Sequence, residues 1–224
     1  MNDYVLTDKE LNEIDERWKS QEHLNKMSDN WATFEKFCEM LSDDKKIAIK
    51  KMLDFFGERA LLAPASSRFE FHNAFPGGLI DHSLRVTKLT IDIAAALKVK
   101  VPRESLIIAS LFHDWGKVGD DNEDLYLPQT SLWHKARGQS YVFNNNIKMP
   151  NAQLSVFMLG KFGVQLTEDE YLAILLNDGP SVEENKKYSM KEPMLAVLIQ
   201  YADRWASRLE KNRTSLLSHE NAQF

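Results

Sequence analysis

The segment Ser105–Phe112, SLIIASLF, carries no charged side chain and runs straight into His113-Asp114. An apolar run of that kind reads as a core helix, so folding delivers an imidazole and a carboxylate to the helix's buried end. An ionised Asp there is costly unless it is paired or bound to a cation. The same conflict recurs twice. His82 lies among Leu79, Val86 and Leu89 on the inward side of a helix expected over 79–97. Asp203 interrupts the apolar run LAVLIQYADRW of a helix expected over 193–209. Such a chain must fold so that its buried polar groups meet one another or a shared ion.

Helical signals dominate the rest of the chain. Thr7-Asp8-Lys9-Glu10 has the form of a capping box, followed by Leu11, Ile14 and Trp18 at helical spacing. A second helix is expected over 31–41. A third opens at Ser42-Asp43-Asp44 and is closed or interrupted by Gly57. Residues 62–78 read as a loop, and 116–150, polar and weakly periodic, as a long and partly ordered one. Helices return over 152–162 and after the second capping box, Thr167 to Glu170, ending before Gly179-Pro180. With 9 Gly and 7 Pro in 224 residues, tight β-turns are scarce and the expected class is all-α. The expected organisation is an N-terminal helical extension over 1–59, one main domain over 60–210 and a polar tail over 211–224.

Composition narrows the function. A net charge of −5 argues against a protein that coats nucleic acid through many Lys and Arg contacts, although a local basic groove stays open. Cys38 is the only cysteine, which excludes an intrachain disulfide and a cysteine-based zinc site. Its neighbours Phe37, Met40 and Leu41 predict a buried thiol. The opening MNDYVLTDKELNE has no apolar run, so no signal peptide is expected, and no stretch approaches the ~20 apolar residues that span a bilayer. A reducing cytoplasm is the expected setting.

Two imidazoles and two carboxylates on apolar helical faces offset one another's burial cost if they share a divalent cation. Mixed nitrogen and oxygen ligands suit Mn, Fe, Co, Ni or Zn, with Mg also open. Four protein ligands on a six-coordinate ion leave two positions, and such an ion activates water and polarises a phosphoryl group. Each residue alone has a plainer reading, as a hydrogen-bonded core His or a helix-end Asp. The ordered set, with Gly77-Gly78 before His82 and Gly116-Lys117 after His113-Asp114, carries the stronger reading.

FHNAFPGGLIDHSLRV (71–86), LFHDWGK (111–117) and YADRWAS (201–207) together resemble the HD-domain phosphohydrolases. That family places a His on one helix, a His-Asp pair on the next and a distant Asp on a later one. The resemblance covers roughly residues 60–210 and implies a helical bundle with a metal held by His82, His113, Asp114 and Asp203. HNAFPGGLIDHSL is similar to the branch of bacterial HD-domain 3′–5′ exoribonucleases and relaxase-like proteins. Members of that branch carry extra histidines for a second metal. The corresponding places here hold Asn151 and Asn177, weak neutral ligands that favour one ion.

The resemblance implies that Lys117 meets substrate phosphate. His134, in SLWHKARGQ, is a candidate acid or substitute ligand, with Lys135 and Arg137 beside it as phosphate contacts. Arg85, one turn after His82, is expected to hold a phosphate or pair with a carboxylate, and His72 to line the pocket. Asp81 is expected in solvent or as a partner behind the ligands, and Asp178 and Glu183 near an entrance. His113, Asp114, Lys117 and His134 are thus the expected catalytic set, and His72, Arg85, Lys117, Lys135 and Arg137 the substrate contacts.

The expected activity is hydrolysis of nucleotide phosphate esters by a metal-activated water. One alternative is a 3′–5′ exonuclease on RNA or single-stranded DNA, using Trp133, Lys135, Arg137, Tyr141, Phe143 and Lys148 as its groove. A second is a degenerate module that binds a nucleotide or partner without turnover. The N-terminal helices cap the domain or build a homo-oligomer.

Overall fold

The computed structural model describes residues 5–211. The expected tail after Lys211 lies outside them. The fold is all-α, apart from one small hairpin. Its axis is α6 (Arg103–Phe112), in which every residue from Ser105 to Phe112 is buried. A helix apolar on all sides must be enclosed on all sides. It is surrounded by α5 (Gly78–Ala96), α2 (Gln21–Cys38), α9 (Glu168–Leu175) and α10 (Met194–Lys211). A 3-10 turn, Trp115–Val118, follows the His-Asp pair and packs on α8 (Asn151–Lys161).

Glycines set where the site-bearing elements start. Gly77 takes a left-handed φ of +79°, and a Cβ on Gly78 would lie 2.1 Å from the Asn73 carbonyl oxygen. Only this pair lets α5 begin against the loop before it. A Cβ on Gly116 would meet the Asn151 carbonyl oxygen at 2.3 Å, so Gly116 allows α8 to close on the His-Asp turn.

Helix α1 (Asp8–Lys19) begins with the expected capping box at Thr7 and Glu10. The second helix starts earlier than its apolar spacing suggests. Ser20 caps α2, its hydroxyl accepting from His23 N at 3.2 Å. Helix α3 (Asp43–Phe56) ends at Gly57 as expected, and α4 (Glu58–Leu62) is a single turn after it. Phe34, Cys38, Ile49, Met52 and Phe56 share one continuous apolar core with α5, α6, α8, α9 and α10. Residues 34–56 are therefore built into the main core. Phe34, Phe56 and Phe112 surround the buried Trp115 ring, with centroids 5.3–6.2 Å from it. Burial also pushes the Cys38 thiol up, keeping it protonated.

The segment 116–150 is not the loop its composition suggests. Strands β1 (Tyr126–Pro128) and β2 (Tyr141–Phe143) pair antiparallel, with Leu127 opposite Val142. A short helix, α7 (Leu132–Ala136), bridges them and packs on α1. Three-residue strands are too short to show alternation, which is why the hairpin escapes a reading by period.

Glu170, at 1% exposure, ties α9 to α3 and α6. Its carboxylate takes Lys45 Nζ at 2.9 and 3.0 Å and the Ser105 hydroxyl at 2.8 Å, and also closes the Thr167 capping box. Removing one partner of a buried pair strands the other charge. Lys45→Met is expected to lower stability by about 3 kcal/mol, read from the urea midpoint. A loss below about 0.5 kcal/mol, the range of exposed pairs, would show that Lys45 does not hold Glu170.

Candidate metal centre

Four side chains from three helices converge. His82 comes from the first turns of α5, His113 and Asp114 from the end of α6, and Asp203 from the middle of α10. His82 Nε2 lies 3.0 Å from Asp203 Oδ1 and 3.6 Å from Asp114 Oδ2. His113 Nε2 lies 3.4 Å from Asp114 Oδ2 and 3.9 Å from Asp203 Oδ1. Both imidazoles are buried, at 0% and 1% exposure.

The other nitrogen of each ring is already committed. His82 Nδ1 donates to Glu210 Oε2 at 2.9 Å, and His113 Nδ1 donates to the Ser110 carbonyl at 2.7 Å. That leaves the Nε2 atom of each ring facing the carboxylates. Among the described residues neither buried Nε2 makes a well-aligned hydrogen bond, and the close neighbour of His82 Nε2 is the Asp203 carboxylate. Imidazoles that bind metals almost always donate their second nitrogen to a carboxylate or carbonyl in this way. The donor set fits a divalent cation, and one atom each of His82, His113 and Asp203 lies within 4.8 Å of the others.

The charges are strongly coupled. Burial penalises ionised Asp114, but Lys117 and the two imidazoles outweigh it and hold its carboxyl well below the usual carboxylate range. Burial opposes charge on Asp203 too, and His82 and His113 again prevail and lower it. His82 is pushed up to about 10, because Glu210 and Asp203 outweigh its burial. Lys117 Nζ sits 2.5 Å from Asp114 Oδ2; burial opposes its charge, and Asp114 raises it above the usual lysine value.

The sequence profile of the HD domain matches residues 79–207, more than half of the chain, and spans all four of these residues. The chain belongs to the HD-domain family. HD domains are in general metal-dependent phosphohydrolases that bind divalent ions. No curated protein and no solved structure matches the chain.

The two Asn positions lie against the HD dipeptide itself. Asn151 Nδ2 donates to Asp114 Oδ1 at 2.6 Å, and Asn177 Nδ2 donates to the His113 carbonyl at 2.7 Å. Lys117 and His72 also join the cluster. The His72 ring lies 4.7 Å from that of His82, centroid to centroid, and burial with the nearby His82 and Lys117 charges lowers its pKa to about 2.

Six further residues, Arg85, His134, Lys135, Arg137, Asp81 and Glu183, fall as follows. Arg85 turns to Glu210, its Nε 3.1 Å from Oε1, on the Nδ1 side of His82 and away from the ligand atoms. His134 is exposed against Trp133. Arg137 stacks on the same Trp133 at 3.7 Å, and Lys135 lines an apolar cavity with Leu11, Trp18 and Tyr141. None of these three has a contact with the cluster among the described residues, because α7 is held on α1. Of the two places expected for Asp81, the structure has the one behind the ligands: it is buried, accepting from Asn73 Nδ2 at 2.9 Å and pairing with Lys26 at 3.2 Å. Glu183 is exposed and pairs with Lys186.

Two features were missed. Glu210, at 0% exposure, stands at the end of the buried series Leu195, Ile199, Ala202 and Ala206 on α10. A charge on an apolar stripe is the signal that flagged Asp203, and it was available here as well. Arg204 and Arg208 line a cavity of about 670 Å³ together with Asn177, Asp178, Tyr201 and Asp203. Their spacing of four residues places both on one side of α10. Burial and the charges of Asp114 and Asp203 raise the Asp178 carboxyl.

Glu210→Gln keeps the shape of the His82 support and removes its charge. It is expected to weaken Mn²⁺ binding by about 10–100-fold, read by titration calorimetry with an unchanged melting profile in chelator. Unaltered affinity would show that Glu210 does not set the basicity of His82.

Proposed function

We propose that this HD-domain protein hydrolyses phosphate esters of nucleotides at a single divalent cation held by His82, His113, Asp114 and Asp203. The observation that carries the reading is the pair of buried Nε2 atoms crowded against two carboxylates, with the Nδ1 of each ring already held. Two imidazoles and two carboxylates brought together in this way form a ready donor set for a cation. A cation bound there would activate water for attack on the phosphoryl group.

The protein's own groups do the rest. Glu210 and the Ser110 carbonyl hold the Nδ1–H of His82 and His113, so that Nε2 is the atom each ring turns to a cation, which would displace the proton there. Lys117 holds its ammonium beside Asp114, where it donates to a phosphoryl oxygen and offsets the charge gained in the transition state. Arg204 and Arg208 hold outlying phosphate from the wall of the adjoining cavity. Asp178, in the same wall, replaces His134 as the candidate donor of a proton to the leaving oxygen. Asn151 and Asn177 support a single ion, since each puts a weak neutral ligand where a histidine would help to hold a second. The intact ligand set also argues against a binding module without turnover.

A second reading, a single-strand exonuclease, is favoured by one observation. Trp133 and Phe143 are 59% and 58% exposed, and Arg137 lies flat on Trp133, a surface suited to stacking bases.

Purified protein with Mn²⁺, Co²⁺ or Ni²⁺ should release phosphate or pyrophosphate from members of a panel of nucleoside mono- and triphosphates. Asp114→Asn should lower kcat by at least about 1000-fold, as loss of an essential electrostatic group does. Stepwise shortening of a labelled single-stranded RNA, with nucleotides untouched, would favour the second reading. No turnover of any nucleotide or phosphodiester would end the proposal of catalysis.

A further inference from the structure

We propose that His72, in the loop before α5, is a fifth protein ligand, so that this chain holds its cation through three imidazoles. The inference rests on the single-cation reading above and adds a residue from outside the three ligand-bearing helices.

The loop is built to hold His72 still. The Ser66 hydroxyl donates to the His72 carbonyl at 2.7 Å, and Ala65 N donates to the Asn73 carbonyl at 3.1 Å. Asn73 takes a left-handed φ of +45°, a strained conformation that Asn tolerates better than most residues. Its amide is tied to Asp81 at 2.9 Å and to the Gly78 carbonyl at 3.3 Å. Strain of this kind persists only where the surroundings over-determine it, and it is characteristic of functional sites.

The ring so held ends in an unsatisfied nitrogen. Among the described residues His72 Nε2 is buried and has no hydrogen-bond partner. One atom each of His72, His82 and Asp114 lies within 4.8 Å of the others. Ligand atoms on opposite sides of one ion, each ~2.1 Å from it, are ~4.2 Å apart. A rigid-loop imidazole at that distance needs only a small closure to complete the sphere. A His that merely packed would leave its buried nitrogen unpaired, which folding disfavours.

Three nitrogens and two carboxylates leave one exchangeable position on a six-coordinate ion. They also shift the preference from Mg²⁺, which favours oxygen ligands and keeps its waters, towards Mn²⁺, Fe²⁺, Co²⁺, Ni²⁺ or Zn²⁺.

The test is the full chain with ¹⁵N-labelled histidine, titrated with one equivalent of Zn²⁺ and followed by imidazole NMR. Three Nε2 resonances, those of His72, His82 and His113, should move to metal-bound positions. Movement of His82 and His113 alone would overturn this inference and leave the single-cation reading standing. Absence of any Zn²⁺ binding would overturn both. His72→Ala should also weaken Co²⁺ binding by at least about tenfold and alter the visible Co²⁺ spectrum. An unchanged affinity and spectrum in the folded variant would count against the ligand role, and the wild-type spectrum decides if the variant does not fold.

Discussion

Glu210 accepts the Nδ1 proton of His82 in a place with no access to water, and Arg85 stands on its other oxygen. The centre depends on this contact. It joins α5 to the far end of α10, sets which nitrogen of His82 faces the carboxylates, and supplies charge that makes Nε2 a better donor to a cation. Ser110 does the same for His113 with a neutral carbonyl. The two imidazoles are therefore held by unlike supports. His82 is the more strongly charged of the two settings, between Glu210 and Asp203.

The backbone around the centre is arranged for close approach. Gly78 lets α5 start against Asn73, and Gly116 lets α8 close on the turn after Asp114, bringing Asn151 onto the Asp114 carboxylate. The N-terminal helices take part as well. Lys26 and Asn30 of α2 reach Asp81, the residue beside His82, and His23 donates from the same helix to the Pro76 carbonyl at 2.9 Å. The segment read as an extension thus braces the loop that carries His72 and Gly77-Gly78.

Much of this was legible in the sequence, for a physical reason. A polar residue on an apolar helical face is a local conflict, and His82, His113-Asp114 and Asp203 each showed one. The helices, too long and apolar to be mistaken, came with capping boxes at Thr7 and Thr167. What failed were inferences across a turn. His134, Lys135 and Arg137 follow Lys117 closely in sequence, but α7 is carried to α1 by a hairpin whose strands are too short to show alternation. Arg85 shares His82's helical face, yet its partner Glu210 is supplied by a helix more than a hundred residues on. Glu210 also lies three residues beyond the HD-domain match, which ends at residue 207.

The central claim is that four side chains from three helices form one cation site. Anomalous diffraction from crystals soaked in Mn²⁺ tests it most directly. One strong peak per chain should lie ~2.1 Å from Nε2 of both His82 and His113 and within bonding distance of the Asp114 and Asp203 carboxylates. A peak elsewhere, or none among these four residues in a crystal saturated with the ion, would contradict it.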